Sequence, residues 1–220
     1  MTPLFHLPPD LALALAAPGP DGAVALDALA DEERARLETF GHAERRRGFA
    51  LGRTALRGLL APRLGCAPPD VPLDVAADGA LDVRGHPFSV SLAHAGRGAD
   101  ARAVAAAGLR PVGVDLERVG PRRPDLWRRL LAPDEVDVLD VLGGPTDEAQ
   151  TMLWALKEAV LKGERTGLRQ SARSVRLTPD GDGRALARTA RGDWRLAYGF
   201  FEAYAVVLAW QSVGAPGLEE

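Results

Sequence analysis

Two acidic side chains stand at alternate positions in the segment 113–117 (GVDLE) of this chain of 220 residues. The surrounding apolar residues predict a β-strand, in which Asp115 and Glu117 point to one face while Val114 and Leu116 point to the other. Neighbouring carboxylates repel each other, and a hard cation such as Mg²⁺ between them removes that repulsion. The same spacing is common at solvent-facing strand ends, so the segment alone indicates either a metal site or an exposed strand end.

A second group of charged residues lies in the segment 154–162 (WALKEAVLK), which has the periodicity of a helix. Trp154, Glu158 and Lys162 are four residues apart and form one stripe, with Lys157 at its edge. The stripe is either an exposed ion pair between Glu158 and Lys162 or part of a site. Lys157 and Lys162 are the only two lysines among the 27 basic residues of the sequence. This favours a role for them in which a compact ammonium contacts phosphate.

Two earlier segments also contain basic residues that could belong to a site. The segment 88–96 (FSVSLAHAG) predicts a strand that ends near His94, although a lone histidine is more often a surface or core residue than a ligand. Six arginines and no acidic residue occur between positions 45 and 63, namely Arg45, Arg46, Arg47, Arg53, Arg57 and Arg63. Such a basic helix can form a local anion site in a protein that is acidic as a whole.

Taken together, the three groups of residues suit a site for Mg²⁺ and a polyphosphate ligand. The sequence contains no phosphate-binding P-loop, no GxGxxG motif and no Ser-His-Asp triad motif. Its one cysteine, Cys66, has no cluster of cysteines and histidines around it, so a metal site must use oxygen ligands.

The elements that must position these residues occur twice along the chain. Helices are predicted over 40–64 and 148–165, followed by Gly65 and Gly167, which lie 102 residues apart, as do two Asp-Gly turns that begin at Asp78 and Asp180. Strands are predicted over 71–75, 80–83, 88–92, 101–107, 111–117, 175–177, 194–201 and 203–210. We therefore expect an α+β fold of two similar subdomains, 1–110 and 111–220, in a pseudo-twofold arrangement with the active site in the cleft between them.

Composition excludes several classes of protein. The formal net charge of −3 argues against a generic nucleic-acid-binding protein, and no apolar run is long enough to span a membrane. The apolar segment 11–17 (LALALAA) follows Asp10, and no lysine or arginine precedes Arg34, so a cleaved signal peptide is not expected. We expect a cytoplasmic protein.

The segments GVDLE and WALKEAVLK, about 40 residues apart, resemble the paired signature of the 4′-phosphopantetheinyl transferases, and SLAHAG resembles a weaker third motif of that family. The length and the apparent duplication are similar to the Sfp-type, in which two related halves are fused in one chain. This resemblance covers roughly residues 30–210. It implies transfer of 4′-phosphopantetheine from coenzyme A to a serine of an apo acyl or peptidyl carrier protein, for polyketide, nonribosomal peptide or siderophore synthesis.

The resemblance also implies roles for individual residues. Asp115, Glu117 and Glu158 would hold Mg²⁺ against the pyrophosphate of coenzyme A. Either Glu158 or a metal-bound water would remove the serine proton, and we favour Glu158, which could serve as both base and metal ligand. Lys162 would be catalytic and, with Lys157, would contact the same phosphates, while His94 would lie near the 3′-phosphate. The basic helix is similar to the N-terminal region of the family, which makes Arg36, Arg47 and Arg53 candidates for binding the nucleotide phosphates.

Two positions depart from the family pattern: Ala93 stands where serine is usual, and Gly48 where arginine is common. A carrier protein, which typically presents an acidic helix, is expected to contact the basic and apolar residues of one segment between the two signatures; these are Arg122, Arg123, Trp127, Arg128, Arg129, Leu130 and Leu131. A solvated amphipathic helix is an equal alternative for that segment. A monomer is expected, since the duplication supplies the pseudo-dimer internally.

Two other functions remain open at this point. The same fold could bind coenzyme A without transferring any group, although a binding module has little need for a complete set of metal ligands and a base. An unrelated Mg²⁺-dependent phosphohydrolase would explain the paired carboxylates, but not the conjunction of the helix motif and the duplication.

Overall fold

The computed structural model describes residues 5–123, 130–132, 135 and 137–212. The helices of this part are α1 (Asp31–Glu38), α2 (Ala43–Leu64), α3 (Val138–Val141) and α4 (Asp147–Gly163). The strands are β1 (Leu11–Ala16), β2 (Leu73–Val75), β3 (Leu81–Val83), β4 (Ser89–Ala95), β5 (Arg102–Gly108), β6 (Val112–Arg118), β7 (Arg176–Pro179), β8 (Arg184–Thr189), β9 (Gly192–Phe201) and β10 (Tyr204–Gln211). None of the helices within these ranges is long and apolar enough to cross a membrane.

The strands form two five-stranded antiparallel sheets with the same topology. The first sheet has the order β1-β5-β4-β3-β2 and the second the order β6-β10-β9-β8-β7. In each half the first strand is followed by a long helix, α2 or α4, and then by the other four strands. The Asp-Gly turns also correspond, since Gly79 and Gly181 both have a positive φ in the hairpins β2–β3 and β7–β8. The expected α+β fold of two similar subdomains is confirmed.

Local sequence explains where the two long helices begin or end. Helix α2 ends at Gly65, which adopts the left-handed conformation with φ 66° that favours glycine at this position. Helix α4 begins after Thr146, whose hydroxyl accepts a hydrogen bond from the Ala149 amide, and Asp147 and Glu148 in its first turn suit the positive end of the helix dipole.

Several expected elements differ from the structure. Strand β1, helix α1 and strand β8 were not predicted, and β1 is the apolar segment considered above only as a possible signal. Helix α4 ends at Gly163, with Glu164 as its C-cap, and Gly167 opens a short 3₁₀ helix instead. Gly167 is therefore not the counterpart of Gly65, because a non-glycine residue, Arg165, takes the left-handed conformation after α4.

Each half has an apolar core between its long helix and its sheet, and another core joins the two halves. Helix α2 packs on the first sheet through Leu56 and Leu60, and α4 packs on the second sheet through Leu153 and Leu156. A further core joins the two sheets, where Val112, Val114 and Leu116 of β6 meet residues of β4 and β5. Strand β6 thus carries core side chains on one face and the two predicted carboxylates on the other.

Candidate functional site

Strand β6 and helix α4 lie close enough together to bring their charged residues into one cluster. A Cβ atom at Gly113 would lie 1.9 Å from the Ala159 carbonyl oxygen, so only glycine fits where the strand crosses the helix. This contact places Asp115 and Glu117 of the strand beside Glu158 and Lys162 of the helix. Gly113, the glycine of GVDLE, to which no sequence pattern assigned a role, thus allows the close approach of the two motifs.

The cluster has at its centre an ion pair between Asp115 and Lys162. The Lys162 Nζ lies 2.6 Å from Asp115 Oδ1. Asp115 is 3% exposed, and its Oδ2 is buried without a hydrogen-bond partner among the described residues. Burial raises the pKa of Asp115, and the charge of Lys162 opposes that shift. The alternative of a solvent-facing strand end is wrong for Asp115.

Glu158 completes the cluster from one turn before Lys162. It is 8% exposed, and its Oε1 is buried with no partner in the described part of the chain. Burial, followed by the negative charges of Asp115 and Glu117, raises its pKa. The alternative of an exposed ion pair between Glu158 and Lys162 is also wrong, because Glu158 is buried and the lysine bonds to Asp115.

Glu117 is held by two donors. Its Oε1 accepts a hydrogen bond of 2.9 Å from Trp154 Nε1, and its Oε2 one of 2.8 Å from Arg122 Nη2. Trp154 therefore orients a carboxylate, a role that the spacing of the stripe did not specify. Arg122, expected at a carrier-protein surface, is occupied by this contact.

The carboxylates fit a hard cation by chemistry, but they do not form a ready metal site. No group of three histidine, cysteine, aspartate or glutamate residues within the described ranges is arranged to hold a metal ion, and Glu117 and Asp115 are bonded to Trp154, Arg122 and Lys162. The unpartnered oxygens of Asp115 and Glu158 are nevertheless the donors that a divalent cation prefers. Asp115 Oδ2 and Glu158 Oε1 are therefore candidate ligands for such a cation.

A cavity of about 1130 Å³ runs between the halves beside this cluster. Lys162 lines it from the second half, and His94, Arg36 and Arg53 line it from the first. Asp115, Glu117 and Glu158 are not among its lining residues, so Lys162 is the member of the cluster that reaches the cavity. The volume is typical of a ligand site.

His94 enters the cavity from β4 next to a glycine of α2. A Cβ at Gly48 would lie 2.5 Å from the imidazole Nδ1, so the departure at position 48 leaves room for this ring. Burial, and after it the positive charge of Lys162, lowers the pKa of His94. An arginine at position 48, common in the family, would require His94 to take another position.

Arginines and aromatic rings form the other end of the cavity. Arg53 is 7% exposed, pairs with Glu33 at 3.3 Å and keeps its Nη1 buried without a partner among the described residues. Its guanidinium lies over the Phe49 ring, and that of Arg36 lies beside both Phe49 and Phe40. This end is suited to an anion and a flat ring.

Two of the predicted phosphate contacts do not face the cavity. Arg47 bonds to Glu44 at 2.8 Å on the surface of α2 and is not among the lining residues. Lys157 is fully buried, and its Nζ donates to Glu135 Oε2 at 2.6 Å and to the carbonyls of Leu130 and Val175. The assignment of Lys157 to phosphate is wrong in this arrangement, because its ammonium lies in the core and already has three acceptors.

The predicted carrier-protein surface is only partly described. Trp127, Arg128 and Arg129 lie outside the described residues, and Arg123 is exposed. Leu130 is buried in the core of the second half, with Leu131 packed against the same core. These two leucines are therefore not an exposed apolar patch for a partner.

A group of ion pairs that the sequence did not indicate also lines the cavity. Arg165 bonds to Asp78 at 2.9 Å and to Asp82 at 2.8 Å, which joins the second half to the first. Arg165 has a φ of 59°, a conformation that is uncommon for residues other than glycine. No spacing pattern in the sequence indicated this contact, since the partners lie more than 80 positions apart.

Comparisons with known proteins agree with the motifs. A family model of the 4′-phosphopantetheinyl transferase superfamily matches residues 111–209, which include β6 and α4. The 4′-phosphopantetheinyl transferase HetI of Nostoc sp. is 31% identical over 159 residues, which are 69% of this chain and 66% of that protein. A 4′-phosphopantetheinyl transferase of Bacillus subtilis is 27% identical over 159 residues, 70% of this chain and 69% of that protein. The matches thus span about two thirds of each relative.

Proposed function

Because the chain belongs to the 4′-phosphopantetheinyl transferase superfamily, we propose that it transfers 4′-phosphopantetheine from coenzyme A to a serine of an apo carrier protein. The observation that carries this proposal is the position of Lys162, which bonds to Asp115 and also lines the cavity between the halves. One side chain thereby links the acidic cluster to the space where a polyphosphate ligand would lie.

In the proposed reaction the hydroxyl oxygen of the carrier serine attacks the phosphorus that bears pantetheine. The bond from this phosphorus to the oxygen of 3′,5′-ADP breaks, and the nucleotide leaves with the electron pair. Glu158, one helical turn before Lys162, would accept the serine proton; support comes from its raised pKa and from an Oε1 that has no partner among the described residues. Lys162 would steady the negative charge of the pyrophosphate.

Mg²⁺ is proposed as the cofactor, with Asp115, Glu158 and Glu117 as the residues that would hold it. When bound, it would neutralise charge on the phosphate oxygens. Support comes from two carboxylate oxygens that have no partner among the described residues, and from the pKa of Glu158, which burial and then the negative charge of Asp115 raise. Glu117 would have to leave Trp154 or Arg122 to join them.

The nucleotide of coenzyme A is proposed to occupy the opposite end of the cavity. His94, Arg36 and Arg53 line that end, and the unpartnered Nη1 of Arg53 supports an anionic ligand there. The rings of Phe40 and Phe49 offer apolar surface beside the arginines. This distribution would direct the nucleotide to the first half and the pyrophosphate to the second.

We also propose that the protein acts as a cytoplasmic monomer of two subdomains, 1–110 and 111–220, with polyketide, nonribosomal peptide or siderophore carrier proteins as partners. The matching topology of the two sheets and the core between them support an internal pseudo-dimer. A second candidate is a non-catalytic module that binds coenzyme A. One observation favours this module: Glu117 and Asp115 accept hydrogen bonds from Trp154, Arg122 and Lys162 instead of being open to a metal ion.

The two candidates differ in the release of 3′,5′-ADP. Purified protein is incubated with coenzyme A, Mg²⁺ and an apo carrier protein, and the nucleotides are separated by chromatography. A transferase releases 3′,5′-ADP only when both carrier and metal are present, and EDTA stops the release. If calorimetry shows that coenzyme A binds but it stays intact with every carrier tested, the binding module is favoured and the transferase is contradicted.

A further inference from the structure

Two serines of β4 meet the free edge of β6 at the boundary between the halves. Among the described strands, β6 lies at the edge of the second sheet and pairs with β10 on one side only. The Val112 amide donates to Ser89 Oγ at 3.1 Å, and the Val114 amide donates to Ser91 Oγ at 3.0 Å. Hydroxyl groups of the first half thus replace the backbone acceptors that a neighbouring strand would supply.

These two hydrogen bonds matter because the edge they cover is buried. Val112 and Val114 are almost completely buried, and Ser91 is also buried. A backbone amide in such a place is costly when it lacks an acceptor. The serines alternate along β4 with the same two-residue spacing as the valines along β6, so the pair fixes both the position and the direction of β6 against β4.

The register of β6 decides which side chains face the cluster. A shift of one residue would turn Asp115 into the core and a valine or leucine outward. On β4, Ser89, Ser91 and Ala93 face the second half, whereas the intervening Leu92 and His94 contact α2. The hydrogen bond that the Val114 amide donates to Ser91 Oγ therefore lies one residue from Asp115 on β6 and three residues from His94 on β4.

We propose that Ser91, supported by Ser89, is a positioning residue that holds the Asp115–Lys162 pair of the second half in register with His94 of the first. This inference rests on the proposed function, in that one coenzyme A molecule must contact both halves at once. Ser91 does not touch the ligand and acts through the backbone of β6. Its contribution is the alignment of the two ends of the cavity.

The test compares Ser91→Thr with Ser91→Val, since these side chains have the same shape and differ in the hydroxyl group. Transfer kinetics, calorimetric coenzyme A affinity in EDTA and the thermal unfolding midpoint are measured for each variant. Leu60→Val, a change in the core beneath α2, controls for a loss of stability alone. Ser91→Ala and Ser89→Ala complete the set in case the added methyl group does not fit.

We expect Ser91→Val to have a kcat/KM about tenfold lower than Ser91→Thr, with weaker coenzyme A binding, because the Val114 amide loses its acceptor. If the two variants have equal unfolding midpoints, Ser91→Ala should have a lower kcat/KM than Leu60→Val. Ser89→Ala should lose less activity than Ser91→Ala, because Ser89 lies further from Asp115. Equal kcat/KM for the threonine and valine variants, with Ser91→Ala no worse than Leu60→Val, would overturn the proposal. Absence of transfer by the wild-type protein on every carrier would instead contradict the proposed function.

Discussion

The Nζ of Lys162 donates a hydrogen bond of 2.6 Å to Oδ1 of Asp115, and this contact joins the last residue of one sequence motif to the middle of the other. Lys162 is about one-third exposed at the cavity, whereas Asp115 is buried. The lysine can therefore contact a phosphate while it remains bonded to the carboxylate.

Glu158→Gln should lower the transfer rate by about 10²–10⁴, because the amide cannot accept the serine proton. The fold should be retained, since the change removes a charge that burial and two neighbouring carboxylates disfavour. Single-turnover transfer and circular dichroism are the measurements. Glu148→Gln, on the exposed first turn of the same helix, is the matched control. Turnover near the wild-type rate would exclude Glu158 as the base.

Lys162→Arg should lower kcat by about tenfold although the positive charge is kept. A guanidinium is larger and planar, and it cannot replace the compact ammonium that bonds to Asp115 and reaches the cavity. Steady-state kinetics with coenzyme A and a carrier protein test this. A variant with full activity would show that any cation serves at this position.

Lys157→Met should destabilise the protein by about 3–5 kcal/mol, since it leaves Glu135 as an unpaired buried charge. Denaturant unfolding measures the loss. The double variant Lys157→Met with Glu135→Leu should be more stable than the sum of the two single changes predicts. If Lys157→Met instead raised the KM for coenzyme A at unchanged stability, the lysine would belong to the phosphate site after all.

Arg36→Ala should weaken coenzyme A binding about tenfold, because Arg36 lines the cavity beside Phe40 and Phe49. Arg47→Ala, in the same half but bonded to Glu44 and outside the cavity lining, should change the affinity by less than about twofold. Calorimetry of both variants at two salt concentrations measures how much each arginine contributes to the affinity for coenzyme A. The reverse order of effects would restore Arg47 as a ligand contact and remove Arg36.

The two long helices and most strands could be predicted from the sequence because their apolar periodicity is local. Strand β1 was missed although its residues Leu11 to Ala16 are apolar, since nothing nearby shows that it pairs with β5, some 90 residues later. The polar helix α1 has almost no apolar face, which removes the signal that predicts a helix. The order of strands within each sheet depends on pairing between distant segments and could not be derived from local patterns.

The site was predicted in part for the same reason. Alternation along β6 placed Asp115 and Glu117 on one face, and helical spacing placed Glu158 beside Lys162. Lys157 was misassigned because the rarity of lysine was given more weight than its position. It follows Leu153 by four residues and precedes Val160 by three, so it lies on the apolar stripe of α4 that packs into the core.

The most direct test of the account is intact-protein mass spectrometry of apo carrier proteins incubated with this protein, coenzyme A and Mg²⁺. We predict that at least one carrier gains the mass of a single phosphopantetheine, that EDTA prevents the gain, and that substitution of the carrier serine abolishes it. The proposed transfer would be contradicted if coenzyme A binds in the cavity but no carrier from polyketide, nonribosomal peptide, siderophore or fatty-acid synthesis is modified.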